Sequence, residues 1–274
     1  MANLAALLDP LLDDLREEAE SLDGLVSDLG AEDWQRPTPA PGWTVAHQIA
    51  HLTWTDEAAH LAVTQPERFA AEVLQPLATA YAQGRQPVDE AAATRATAPP
   101  AELLRHWRAG RTTLADALRH HGEREGGRIP WFGPSMSPAS MATARLMETW
   151  AHGQDVYDAL GVVRKPTARL RHVAHLGVRT RDFAYAVNDL APPDEEFRVE
   201  LDAPDGGGVW AWGPEDAPQR VRGPALDFCL LVTQRRHRAD LALVAEGPDA
   251  DRWLDLAQAF AGPPGEGRRQ GQFA

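Results

Sequence analysis

The chain has 274 residues, 43% of them hydrophobic and 24% charged, which suits one large domain or two modest ones and excludes general disorder. Forty acidic against 27 basic residues give a net charge of -13, a surface that repels phosphate backbones and anionic lipid, so neither a nucleic-acid nor a membrane partner is expected. No apolar run approaches the ~20 residues of a membrane span, and Met1-Ala2-Asn3-Leu4 does not read as a secretory leader, so a cytoplasmic location is expected.

Leu4, Leu8, Leu11, Leu15, Leu22, Leu25 and Leu29 recur at steps of three, four or seven, the stripe of an amphipathic helix over about residues 3–30, with Pro10 placed to kink it or shift its start. Pro37, Pro39, Pro41 and Gly42 force a loop. A second helix is predicted from Trp43-Thr44 to about Leu61 with Thr44 as N-cap, and a third stretch covers roughly 67–84. After the break at Ala96–Pro100, residues 101–121 carry Leu103, Leu104, Trp107, Leu114 and Leu118 on one side of a helix. A Gly-rich turn then leads into the apolar connector Ile129–Met136. Ser137-Pro138 has the cap-then-proline signature of a helix start, and that helix runs to Leu160 before Gly161. Residues 166–190 read as one more helix.

Beyond Pro192-Pro193 the pattern changes. Phe197, Val199 and Leu201 alternate with charged residues, and Val209–Trp212 follows the turn Asp205–Gly208, which predicts a hairpin. A helix over 224–235, a strand at Leu241–Ala245 and a helix over 250–261 follow, then a polar, mobile tail after Gly262-Pro263-Pro264-Gly265. The expected fold class is α+β, with a helical domain over 1–190 and a small α+β domain over 191–274.

Among ten histidines, three stand out by their neighbours. His47 and His51 lie four apart on one predicted helix, and Glu148 and His152 repeat that spacing on another, in apolar surroundings that include Ile49, Leu52, Trp54, Met147 and Trp150. Two facing helices that each offer such a pair can build a metal site, because buried imidazoles and a carboxylate without a cation carry a desolvation cost. The alternative is structural: Glu148 pairs with Arg145 on its own helix, and His51 is a satisfied core histidine. The lone Cys229, which excludes a disulfide and a multi-cysteine zinc site, sits in an apolar run and reads as a buried hydrophobe. Trp131 and Phe132, in an apolar loop just before the second helix, are candidate pocket lining.

Gly42-Trp43-Thr44-Val45-Ala46-His47-Gln48-Ile49-Ala50-His51-Leu52 and Glu148-Thr149-Trp150-Ala151-His152-Gly153-Gln154-Asp155 resemble the paired motifs of mycothiol-dependent maleylpyruvate isomerases and related DinB-like metal-binding bundles. Trp131-Phe132-Gly133-Pro134 and the stretch Ala257–Gly265 resemble an uncharacterised actinobacterial subgroup of that superfamily. The resemblance implies a four-helix bundle followed by the small domain, with zinc or another divalent metal held by His51, Glu148 and His152. It leaves His47 in a supporting place; Asp155, one turn past His152, is placed either to orient that ring or to sit on the helix surface. It further implies mycothiol or another low-molecular-weight thiol as cosubstrate of an isomerase or S-transferase, and a small electrophilic, anionic substrate held by Arg235; Arg145, three before Glu148 and seven before His152 on one helix face, is an independent candidate for that anchor. A thiol-independent hydrolase or lyase, and a non-catalytic metal- or ligand-binding protein, remain the alternatives; monomer and homodimer both stay open.

Overall fold

The structure, a computed structural model, describes residues 2–124 and 126–273; the side chains of residues 2–6 and 205 lie outside the description, and with them Leu4 of the first stripe and Asp205 of the hairpin turn. The chain divides into two compact units, 1–163 and 164–274.

The first unit is helical: α1 (Ala2–Val26), α2 (Ala31–Trp34), α3 (Val45–Thr64), α4 (Pro66–Phe69), a π-helical turn at Ala70–Leu74, α5 (Gln75–Ala82), α6 (Pro87–Ala96), α7 (Pro100–Glu123) and α8 (Pro138–Leu160). Helices α1, α3, α7 and α8 pack as a bundle, with α6 laid against α3. Helix α3 is the central member and is buried on nearly every side, including Val45, Ile49 and Leu52 at 0% exposure. A helix so placed needs apolar residues all round, and its run of alanines lets neighbours approach closely. Leu22, Val26, Trp34, Leu104, Trp107 and Val156 complete this core. Pro10 lies inside α1, within its second turn and a half, where it leaves the helix unbroken. Helix α6 is not anticipated by the sequence pattern, because Val88, Ala92 and Ala96 make too thin an apolar stripe among charged neighbours. The α8 boundaries follow the expected signals: Ser140 N–H donates to Ser137 Oγ at 3.1 Å, and Gly161 closes the helix with φ 66°.

The second unit comprises α9 (Leu170–Arg179), α10 (Arg181–Ala186), β1 (Phe197–Asp202), β2 (Val209–Trp212), β3 (Gln219–Pro224), α11 (Ala225–Val232), β4 (Val244–Glu246) and α12 (Pro248–Leu256). Its sheet has the order β2-β1-β3-β4, with β1 antiparallel to β2, parallel to β3, and β3 antiparallel to β4. The predicted hairpin is present with Val199 opposite Trp212 and Leu201 opposite Trp210. Phe197, Val199, Leu201 and Val221 turn to the buried face, where Phe197 and Phe228 meet Trp253 edge-on at 5.6 and 5.8 Å. Gly213, at φ 78°, ends β2 so close to the Phe197 carbonyl that any Cβ would collide with it.

In this unit the structure departs from the sequence reading. The predicted single helix over 166–190 is two, α9 and α10, separated at Thr180, and α9 packs on α11; residues 164–190 therefore group with the sheet rather than with the bundle. The tail beyond Gly262 makes specific contacts: Gly271 N–H donates to the Asp240 carboxylate at 2.8 Å, and the Phe273 ring lies 4.1 Å beneath the Arg236 guanidinium.

Candidate metal centre

The core helix α3 and its neighbour α8 contribute the site. One turn of α3 presents His51, and two successive turns of α8 present Glu148 and His152. Glu148 Oε2 lies 3.1 Å from His152 Nε2 and 3.5 Å from His51 Nε2, and the two imidazole centroids are 4.4 Å apart. One donor atom from each residue falls within 4.8 Å of the others, a group able to hold a metal ion. Burial pushes the Glu148 carboxyl up, but hydrogen bonds and charge from His152 and His51 outweigh it and hold the group well below the ordinary carboxylate range. An ionised carboxylate wedged between two ring nitrogens is a site shaped for a cation. His51 is 7% exposed, and its buried Nδ1 has no hydrogen-bond partner among the described residues. Two imidazoles and one carboxylate form an N/O donor set that zinc accepts, with three protein ligands leaving coordination positions open.

Around these groups the aromatic residues close in. The Trp43 ring stacks on His152 at 5.9 Å and stands 5.3 Å from His51, and its Nε1 donates to Asp89 on α6 at 3.0 Å. On the other side Trp54 lies 6.1 Å from His51 and stacks on Phe132 at 6.0 Å. Phe132 touches Trp131 at 4.5 Å, and Trp131 stacks on the fully buried Phe69 at 5.8 Å. The loop that carries Trp131 and Phe132 is pinned at its base by paired hydrogen bonds between Ile129 and Met136, each 2.8 Å. A chain of ring contacts thus runs from His51 through Trp54 and Phe132 to Trp131.

His47 is turned to another task. Its Nδ1 accepts from the Thr44 backbone N–H at 3.3 Å and lies 2.8 Å from Thr44 Oγ1, closing the first turn of α3. The His152 Nδ1 is met by Gln48 Oε1 from α3 at 2.6 Å, and Asp155 is buried on α8 one turn further on.

Arg145 requires a correction. It does not pair with Glu148 and is not presented to a substrate: it is 1% exposed, with Nε donating to Asp56 Oδ1 at 2.9 Å and Nη2 to Thr55 Oγ1 at 2.6 Å. Arg145 precedes Glu148 by one turn, and Thr55 and Asp56 follow His51 by one turn, so this ion pair ties α3 to α8 one turn from the donors. The sequence signal was there in Asp56, a carboxylate in an otherwise apolar helix. Arg235 belongs to the second unit, in the turn after α11, where its Nη1 donates to the Thr233 carbonyl at 2.6 Å. Gln48, Thr55 and Asp89 carry no motif that would have singled them out.

Cys229 is fully buried in α11, its Sγ 3.4 Å from the Leu170 carbonyl, and burial drives its thiol far above the ordinary range. A thiol held protonated and covered reacts slowly with alkylating or disulfide reagents. The folded protein is expected to show no titratable thiol with a chromogenic disulfide and one equivalent per chain after denaturation.

Against known proteins, residues 15–157 match the family model of the mycothiol maleylpyruvate isomerase N-terminal domain, and residues 193–246 match one described as wyosine base formation. Two uncharacterized proteins of Mycobacterium tuberculosis, from strains CDC 1551 / Oshkosh and ATCC 25618 / H37Rv, are each 57% identical over 259 residues, spanning 94% of this chain and 98% of theirs. Among solved structures, the mycothiol-dependent maleylpyruvate isomerase superposes with a TM-score of 0.56 at 18% identity, and a point mutant of it with 0.57 at 17%, each covering 88% of this chain and 95% of the other. The shared fold is α+β, and the chain belongs to the mycothiol maleylpyruvate isomerase N-terminal domain family.

Proposed function

We propose that the protein is a zinc-dependent, thiol-using isomerase or S-transferase acting on a small electrophilic, anionic substrate. The observation that carries this reading is the convergence of His51, Glu148 and His152 from two helices of a bundle whose family includes a mycothiol-dependent isomerase. These three side chains would hold the ion; when bound, it would supply Lewis acidity that lowers the pKa of a thiol entering the open position. The ionised Glu148 would offset part of the ion's charge. Trp43, Trp54, Trp131 and Phe132 would exclude water and offer ring faces to a conjugated, planar substrate. Arg235 is the proposed anchor for the substrate's carboxylate, since Arg145 is buried against Asp56.

The test is direct. Purified protein is analysed for bound metal, then offered maleylpyruvate with and without mycothiol while the trans isomer is quantified by chromatography. One divalent ion per chain and turnover that requires the thiol are expected. Turnover without thiol would replace this reading by a hydrolase or lyase, and metal without turnover on any electrophile tried would favour a binding protein.

A further inference from the structure

Gln48 is 0% exposed, one turn before His51 on the helix that supplies the first donor. It touches the opposite helix at a single polar point, Oε1 to His152 Nδ1 at 2.6 Å, and its Nε2 donates to Thr38 Oγ1 at 2.9 Å. Thr38 Oγ1 in turn donates to the Trp43 carbonyl at 3.0 Å. The direction of this chain is fixed from its far end. A carbonyl oxygen only accepts, so the Thr38 hydroxyl hydrogen is spent on Trp43 and its oxygen receives the Gln48 amide N–H. The amide oxygen then faces His152, and the Nδ1 of that ring must carry the hydrogen. In a neutral imidazole this leaves Nε2 bare, 3.1 Å from the Glu148 carboxylate, two acceptors face to face. A second proton on Nε2 in the metal-free protein, or a cation held between the two groups, relieves that opposition.

We infer that Gln48 is a positioning residue that locks His152 in the Nδ1–H tautomer and so presents Nε2 to the metal, with Thr38 and the Trp43 carbonyl setting the orientation of the amide. The inference rests on the metal reading above and adds to it a polar partner that comes from the helix opposite the histidine it orients. Outer partners of ligating histidines command about 10–100-fold in metal affinity, since they fix ring orientation and raise ligand basicity.

The experiment measures zinc affinity by competition with a chromophoric chelator, in the full-length protein and in Gln48→Met, Gln48→Glu, Thr38→Val and His51→Ala. Gln48→Met is expected to weaken binding by about 10–100-fold, the range for such partners. Gln48→Glu, which keeps an acceptor facing Nδ1, should restore affinity to that of the wild type or better, and Thr38→Val should weaken it in the same direction as Gln48→Met but less. A residue that merely filled space would not be rescued by glutamate. Independently of any variant, nitrogen-15 NMR of the zinc-loaded wild type should show His152 protonated at Nδ1 and ligated through Nε2; this readout decides the matter if Gln48→Met fails to fold. Equal zinc affinity in Gln48→Met and wild type, or a His152 ring ligated through Nδ1, overturns the role of Gln48 while leaving the metal centre intact. Equal affinity in His51→Ala and wild type overturns the metal centre and the role of Gln48 with it.

Discussion

Glu148→Ala is expected to lower zinc affinity by more than about 100-fold, beyond the range seen for partners outside the ligand set, and to abolish thiol-dependent turnover with it. The carboxylate is the only anionic donor in the group and the one that meets both imidazoles. Without it, two neutral rings would have to hold a doubly charged ion alone. The same carboxyl leaves a mark on the metal-free protein. Its folded pKa lies well below the ordinary 4.5. It therefore contributes stability that is present above that ordinary value and is lost as pH falls through the folded one. Denaturant unfolding of metal-free wild type and Glu148→Ala should show a gap at pH 7 that closes on acidification below about 4.5, the unfolded value. A gap that stayed constant with pH would mean the histidines do not stabilise the ionised carboxylate.

Arg145→Met is expected to cost about 3–5 kcal/mol of stability, the usual loss when one partner of a buried ion pair is removed. Both partners are sealed, Arg145 at 1% and Asp56 at 4% exposure, so water cannot solvate the carboxylate left behind. For a unit of this size such a loss corresponds to roughly a 10 °C fall in melting temperature. Burial already raises the Asp56 carboxyl above its ordinary 3.8, with Arg145 opposing the rise. Removing the guanidinium lets that pKa climb further, and a raised folded pKa means a penalty that grows as pH rises from the unfolded value through the folded one. The deficit of Arg145→Met should thus be largest at neutral pH and shrink toward pH 4. The double variant Arg145→Met/Asp56→Leu should recover most of the loss, because replacing both members by apolar groups leaves no orphaned charge. Chemical denaturation of the four proteins of this cycle reads the coupling directly.

The sequence revealed the donors and concealed their support. His51, Glu148 and His152 lie at helical spacing in apolar helices, where a polar pair has few explanations, and the structure brings them together. The Ser137-Pro138 start and Gly161 stop of α8 were equally plain, since capping chemistry is local. Strand β3 was not legible: in Gln219-Arg220-Val221-Arg222 only Val221 is apolar. Gln219 faces inward there because its Oε1 accepts from the N–H groups of Asp249 and Ala250 at the start of α12, a requirement set by a segment thirty residues away. Arg145 was misassigned for a similar reason. The nearest carboxylate along the helix, Glu148, is taken by histidines, and the arginine reaches across to Asp56 on α3. Local spacing names the residues that must be satisfied; which partner satisfies them is decided by packing between helices.

The covered sulfur of Cys229 has a practical corollary for a protein proposed to handle a small reactive thiol. An accessible sulfhydryl would couple with that cosubstrate under oxidising conditions and foul the catalyst with a mixed adduct. With its one sulfhydryl closed off in the core, the polypeptide offers no such attachment point and cannot cross-link to a second copy through sulfur. Activity lost in air should then return on adding fresh reduced cosubstrate alone, with no reductant needed for the protein itself.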